Sequence, residues 1–260
     1  MTAFDIVDGG FEVLRADPRR FATIAIAFVA PVELLGAYLS RNAFGGLSFD
    51  EVLQQSFTTG TTPSSGTSSA SGTLTLLLSS LLLVFVAGAV ARTVTAWYAG
   101  GDVSAGAALG AAGRRWWALM LAWLLVHVAE LVSCIGVVTA LMVMALFAVT
   151  APVIVVEGLG PVRAMRRSWR LVRRRLWPTV GTCLLTALVA QLVTFAFAAV
   201  SSVFLGVSWG WIVNAALSTV AALLAAIVVA GATTLLYLNL RVRTEGLDLE
   251  MRAAAVFGGP

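Results

Sequence analysis

The sequence predicts an all-α integral membrane protein with six transmembrane helices, arranged as three hairpins that each follow a cytoplasmic amphipathic segment. Three observations support this fold class. First, 59% of the 260 residues are hydrophobic and only 12% are charged, about half the charged fraction of a typical soluble domain. Second, six apolar stretches reach the length of about 20 residues that a helix needs to cross a bilayer. Third, the arginines fall almost entirely on one side of those stretches.

The six predicted spans divide the chain in a regular order. The apolar block from 117 to 156 is too long for one helix, so we divide it at the turn-forming sequence SCIGV. The chain 1–260 is then a single transmembrane domain with spans at about 21–40, 74–96, 117–133, 137–156, 177–205 and 211–240.

The distribution of arginine predicts the orientation of these spans. All 17 basic residues are arginine, and 16 of them lie on one side of the membrane if the N-terminus is cytoplasmic; only Arg41 lies outside. Basic residues accumulate in cytoplasmic loops, so we predict that both termini are cytoplasmic. Residues 41–73, rich in Ser, Thr and Gly, form a flexible external loop, and residues 241–260 form a cytoplasmic tail. The lack of lysine, with much Ala, Gly and Val, indicates a GC-rich bacterial genome and therefore a bacterial plasma membrane.

An arginine-rich segment, GPVRAMRRSWRLVRRRLWP at 160–178, precedes the fifth span. On a helical wheel at about 100° per residue, Arg175 stands apart from six arginines that share an arc of about 120°. Val162, Met165, Trp169, Val172 and Leu176 occupy the opposite side. This pattern predicts an amphipathic helix over 162–176 that lies in the membrane interface and ends at Pro178. Its lipid-headgroup residues would be Arg163, Arg166, Arg167, Arg170, Arg173 and Arg174. The alternative is that these arginines only hold the loop on the cytoplasmic side. Nothing in the sequence resembles a nucleic-acid-binding fold, so we expect no nucleic acid.

A similar arrangement occurs three times: an amphipathic segment, an arginine pair, an aromatic residue and two spans. Either an internal duplication or membrane topology alone would produce it. If the units correspond, Glu33, Glu130 and Gln191 lie at similar depth and could surround one polar cavity. His127 and Glu130 share a helix face, and Asn214 is an available partner. Two ligands are too few for a metal site, so we expect no metal and no cofactor. Interhelical hydrogen bonds or a proton relay would both explain these polar groups.

The sequence contains none of the usual catalytic motifs. It has no nucleophile elbow, no phosphate-binding loop and no zinc-ligand cluster, so we expect no enzymatic activity. Cys134 and Cys183 lie in apolar surroundings and are expected to be reduced thiols. The tail places Glu245, Asp248 and Glu250 near arginines, and we predict that this acidic segment pairs with the basic cytoplasmic surface.

Two stretches carry a family resemblance. They are APVIVVEGLGPVRAMRRSWRLVRRRLW at 151–177 and YLNLRVRTEGLDLE at 237–250. Together they resemble the membrane domain attached to some bacterial glycerophosphoryl diester phosphodiesterases, which also occurs as a stand-alone actinobacterial membrane protein. The resemblance implies only the membrane part, because we expect no soluble catalytic barrel after the sixth span. It therefore implies no activity, metal or substrate.

Two functions remain in competition at this stage. The first is a non-enzymatic membrane protein whose cytoplasmic interfacial helices engage anionic lipids or a membrane protein partner. The second is a small transporter, channel or lipid-handling protein with a polar cavity around Glu33, His127, Glu130 and Gln191. An intramembrane enzyme is a more distant third.

Overall fold

The protein is helical throughout the residues that its structure, a computed structural model, describes: 1–39, 66–133, 136–204, 207 and 209–247. No strand occurs among them. The helices are α1 (Ala3–Ala16), α2 (Pro18–Leu39), α3 (Gly66–Tyr98), α4 (Ala105–Arg114), α5 (Trp116–Ser133), α6 (Val137–Phe147), α7 (Thr150–Val156), α8 (Pro161–Val172), α9 (Leu176–Ser202) and α10 (Gly210–Glu245).

Among the described residues, five helical segments are long and apolar enough to cross a membrane, or six if a bent helix pair counts as one span. They are Pro18–Leu39, Thr73–Tyr98, Val138–Val156, Pro161–Ser202 and Gly210–Glu245, with the pair Ala105–Arg114 and Trp116–Val132 bent by 65°. The prediction of an all-helical chain with several helices able to span a membrane is thus confirmed for the described residues. Pairing as three hairpins and the side of each terminus stay predictions. Most of the predicted external loop, including Arg41, and the last part of the tail lie outside the described residues.

Helix α1 starts at a capping box and packs closely on α10. The Thr2 side chain accepts from the Asp5 amide, and the Asp5 side chain accepts from the Thr2 amide, which satisfies amides that the helix start leaves unpaired. Farther along, a Cβ on Gly10 would lie 2.8 Å from the carbonyl oxygen of Val228. Glycine therefore lets the two backbones approach, and α1 belongs to the packed body of the protein.

The fourth predicted span, 137–156, is broken into α6 and α7. Pro152 lies in the first turn of α7, where its missing N–H is tolerated, but its ring would clash with a helical carbonyl four residues earlier. The break comes at Ala148 and Val149. The Ser168 hydroxyl on α8 donates to the Leu146 carbonyl at 2.6 Å. Helix α8 consequently packs beside α6 and α7 through its buried Ala164, Ser168 and Leu171.

The arginine-rich helix α8 continues into α9 with little interruption. Only a 3₁₀ turn at Arg173–Arg175 separates them, and together they form a 42-residue helical stretch, Pro161–Ser202. Pro178, where we predicted the break, lies in the first turn of α9, a position that tolerates proline. A helix of that length extends about 63 Å, roughly twice the hydrocarbon thickness. The stretch is therefore long enough for α8 to reach beyond the hydrocarbon.

The chain folds as two compact units. The first contains Met1–Ile24, Val84–Leu188 and Ile227–Pro260, and the second contains Ala25–Leu83 and Val189–Ala226. The large side chains that are fully buried, such as Tyr237, Phe21 and Leu119, belong to the first unit. All of α1 and α4–α8 and the last part of α10 belong to that unit, so the polar cluster described next is held within its packed core.

Candidate functional site

Five side chains in the first unit form a closed ring of hydrogen bonds, which we name the Arg167 ring: Glu157, Arg167, Tyr237, Arg241 and Glu245. Arg167 Nε donates to Glu157 Oε2 at 3.0 Å, and Arg167 Nη2 donates to Glu245 Oε2 at 2.7 Å. Arg167 Nη1 also donates to Glu245 Oε1. One guanidinium thus bridges two carboxylates, with the fork geometry that makes arginine–carboxylate pairs strong.

Tyr237 and Arg241 close the ring from α10. The Tyr237 hydroxyl donates to Glu157 Oε1 at 3.0 Å and accepts from Arg241 Nη1 at 3.2 Å. Arg241 Nε donates to Glu245 Oε2 at 3.1 Å. Two arginines and two glutamates give the ring no net formal charge. Its side chains are largely covered: Tyr237 is fully buried, and the Arg167 side chain is 21% exposed.

Both carboxylates of the ring are placed by the same local motif. Glu157 follows α7 and precedes Gly158, while Glu245 ends α10 and precedes Gly246. The two glycines have left-handed φ angles of 69° and 68°, a conformation that glycine adopts without steric cost when it ends a helix. The repeated sequence Glu-Gly-Leu therefore sets each glutamate at a helix C-terminus. A negative charge there is opposed by the helix dipole, and Arg167 supplies the compensating positive charge to both.

The predicted pairing of the acidic tail with the basic surface is confirmed for Glu245, which contacts Arg167 and Arg241. Asp248 and Glu250, the other two residues of that prediction, lie outside the described residues. The sequence did not reveal that Tyr237 and Glu157 complete the same cluster. The signal that could have found it is the recurrence of Glu-Gly-Leu at 157–159 and 245–247.

The remaining predicted headgroup arginines form an exposed surface, which we name the arginine face: Arg163, Arg166, Arg170, Arg173 and Arg174. Two apolar side chains of the same helix are also exposed, Val162 at 49% and Trp169 at 43%. The guanidinium of Arg173 lies 4.9 Å from the ring centroid of Trp169, within the range of a cation–π contact. Val172, predicted to share the apolar side with Trp169, is buried in the protein instead.

A second cluster of polar side chains surrounds Arg20 at the start of α2. Arg20 forms an ion pair with Asp17 at 2.9 Å and another with Asp102, which follows α3. The Trp97 indole donates to Asp102 at 3.1 Å, and the Arg20 guanidinium lies 5.5 Å from the Trp97 ring. The hydrogen bonds from Arg20 and Trp97 lower the pKa of Asp102 to about 2. Phe21 is fully buried and packs edge-on against Trp97.

The predicted intramembrane polar residues are divided between the two units. In the second unit, the Ser79 hydroxyl donates to Glu33 Oε1 at 2.9 Å, while Asn214 is half-buried and Gln191 is exposed. In the first unit, His127 Nδ1 lies 3.0 Å from the carbonyl oxygen of Trp123 on its own helix, and Glu130 is half-buried. That these residues line one cavity stays a prediction.

The described residues contain no group of three His, Cys, Asp or Glu side chains that could hold a metal ion. Cys183 is a half-buried free thiol, and Cys134 lies outside the described residues.

Comparison with known proteins gives one partial match. Residues 127–240 match the model of a domain of unknown function, DUF7847. This stretch is less than half of the chain; it includes Glu157, Arg167 and Tyr237 but ends before Arg241 and Glu245. No curated protein matches the chain, and no solved structure does either.

Proposed function

We propose that this protein is a non-enzymatic, multi-pass protein of the bacterial plasma membrane whose arginine face engages anionic lipids. Both termini of the sequence would lie in the cytoplasm, and the chain would contain a membrane domain of the phosphodiesterase-linked kind that it resembles. The observation that carries the proposal is the exposure of five arginines on α8 and the 3₁₀ turn that follows it, beside exposed Val162 and Trp169. Basic side chains next to apolar ones suit the boundary between headgroups and acyl chains.

The Arg167 ring supports the proposal by fixing where that face points. It ties α8 to the end of α7 and to the end of α10. The face is thus held on a packed scaffold, so binding a lipid requires no folding of the helix. Such preorganisation lowers the entropic cost of binding. A membrane protein partner with an acidic surface is the other binder that this face would accept.

The test is a lipid titration of the purified full chain followed by native mass spectrometry. Phosphatidylglycerol would be compared with phosphatidylcholine for the wild type and for Arg166→Gln/Arg170→Gln/Arg173→Gln. Each arginine contributes about 1 kcal/mol near an anionic surface, so the triple variant should bind phosphatidylglycerol about 100-fold more weakly. The matched control is Arg15→Gln/Arg19→Gln/Arg114→Gln, which removes the same charge from exposed positions elsewhere and should change affinity less than threefold.

Equal preference for the two lipids in the wild type would contradict the proposal. So would equal losses in the triple variant and its control, because binding would then follow total charge rather than this face. A protein that co-purifies with the wild type and is lost from the triple variant would assign the face to a partner.

A second candidate, a transporter or channel, is favoured by Glu33. A half-buried carboxylate that accepts a hydrogen bond from Ser79 lies within the membrane-length helix α2, and carboxylates in such helices often mark substrate or proton pathways. A transporter should lose flux in Glu33→Gln while the protein stays folded. A lipid-engaging protein should retain its lipid affinity in that variant.

A further inference from the structure

A cleft of about 220 Å³ lies between the beginning of α1, the beginning of α9 and the end of α10. All of its lining residues belong to the first unit. The polar ones are Thr2, Arg175, Thr179, Thr182, Asn239 and Arg243. Arg175 is the one arginine of the 163–175 segment that lies off the shared arc of the helical wheel. In the structure it lines this cleft.

Thr179 carries the first part of the argument. Its side chain is 1% exposed, and its hydroxyl finds no hydrogen-bond partner among the described residues. Its neighbours on the same helix behave differently: the hydroxyls of Thr182 and Thr186 donate to carbonyls one turn earlier, at 2.9 and 2.8 Å. Buried polar groups are nearly always paired, so the Thr179 hydroxyl is a donor left over for a group that binds in the cleft. Thr150, which does not line the cleft, is the other buried hydroxyl without a partner among the described residues.

The charges around the cleft show what kind of group would bind. Arg175 and Arg243 both line it, and no acidic side chain is among the described residues that do so. Asn239 Oδ1 accepts from Arg243 Nε at 3.1 Å, which orients the guanidinium and leaves the amide N–H₂ of Asn239 as a donor. Two guanidinium groups, an amide and a hydroxyl together match an anion with several acceptor oxygens.

We propose that this cleft binds a single phosphate group, with Arg175 and Arg243 pairing its charge and Thr179 donating to one of its oxygens. The volume is below the range of about 300–1,000 Å³ typical of pockets for drug-sized ligands, which favours a headgroup or a free phosphate over a nucleotide. The cleft uses none of the five residues of the arginine face, so this site is independent of the proposed function.

The experiment uses the full chain purified in a neutral detergent. Binding of inorganic phosphate and of short-chain phosphatidic acid is measured separately, by titration calorimetry. Arg175→Gln/Arg243→Gln should weaken binding of whichever probe the wild type binds at least tenfold. Thr179→Val should weaken binding of the same probe three- to tenfold. Valine nearly matches the shape of threonine, and the hydroxyl it removes has no partner, so the melting temperature without ligand should be unchanged. The control Arg15→Gln/Arg19→Gln removes the same charge from exposed positions outside both the cleft and the arginine face and should bind within twofold of the wild type.

The two probes distinguish the source of the phosphate. Binding of inorganic phosphate would assign the site to a soluble phosphate, and binding of phosphatidic acid alone would assign it to a lipid headgroup. If neither probe binds, or if the cleft variants bind like the wild type, the proposal is wrong. If the control loses as much affinity as Arg175→Gln/Arg243→Gln, general charge attraction explains the binding and the cleft is not a site.

Discussion

Arg167 differs from the other arginines of α8 in what its guanidinium contacts. It bridges Glu157 and Glu245 with a largely covered side chain, whereas the arginine face is exposed. Its sequence position does not reveal this difference, because on the helical wheel it shares one arc with the face. What selects Arg167 is two carboxylates 10 and 78 residues away along the chain, and a helical pattern carries no information about such distant partners.

We predict that Arg167→Gln destabilises the protein by about 2 kcal/mol. The change leaves two carboxylates at helix C-termini without their main partner, and breaking a buried ion pair costs about 3–5 kcal/mol; partial exposure of this pair reduces that cost. The unfolding free energy would be measured by titration with SDS followed by circular dichroism. Arg166→Gln, one residue earlier and exposed, should change it by less than about 0.5 kcal/mol. Equal effects of the two changes would show that the Arg167 ring contributes no stability.

Asp102 gives the molecule a specific response to acid. Its pKa is lowered from 3.8 to about 2 by Arg20 and Trp97, so its stabilising contribution is complete above pH 3.8 and is lost as the pH falls toward 2. The melting temperature of the wild type should therefore exceed that of Asp102→Asn above pH 4, and the two should converge near pH 2. Asp8→Asn, which removes an exposed carboxylate from α1, serves as the charge control. A constant difference between wild type and Asp102→Asn across this range would contradict the assignment.

Sequence periodicity predicts the positions of helices better than it predicts individual side-chain contacts. It anticipates a helix in each of the three amphipathic segments but not how each one joins the next. Helix α4 meets α5 at a 65° bend, whereas α8 runs into α9 through a single 3₁₀ turn. These connections between helices depend on the backbone conformation of one to three residues. They also depend on which neighbouring helix covers each helix face. The Ser168–Leu146 bond, which anchors α8 beside the broken span, is such a contact.

Gly10 offers a test of the packing between α1 and α10. A Cβ at this position would lie 2.8 Å from the Val228 carbonyl oxygen, a backbone atom that cannot move aside alone. Gly10→Ala should therefore lower the unfolding free energy by about 1–3 kcal/mol, the usual cost of overpacking. Gly106→Ala in α4 is the matched control: a Cβ there meets nothing within 4 Å, and alanine should stabilise the helix by up to about 1 kcal/mol. A neutral or stabilising Gly10→Ala would show that the two backbones do not approach this closely.

For the whole molecule, hydrophobic run lengths suffice to predict an all-helical protein with five to six membrane-length helices, because the bilayer fixes the length of apolar helix required. They do not predict the 42-residue continuous helix Pro161–Ser202 or the division into two units. Depth counted along the sequence suggested that Glu33 and Gln191 share a cavity with Glu130. Depth does not specify the direction in which a side chain points, so the shared cavity of these three residues stays a prediction.

Our central claim is that Arg167 stabilises the fold whereas the arginine face binds lipid. The most direct test measures phosphatidylglycerol affinity and unfolding free energy for two variants, Arg167→Gln and Arg166→Gln/Arg170→Gln/Arg173→Gln. The triple variant should lose about two orders of magnitude in affinity while its stability stays near that of the wild type. Arg167→Gln should lose stability and, at temperatures where it is folded, keep its lipid affinity within about threefold. If Arg167→Gln instead loses lipid affinity without losing stability, Arg167 is itself a headgroup ligand, and the separation of roles on α8 is wrong.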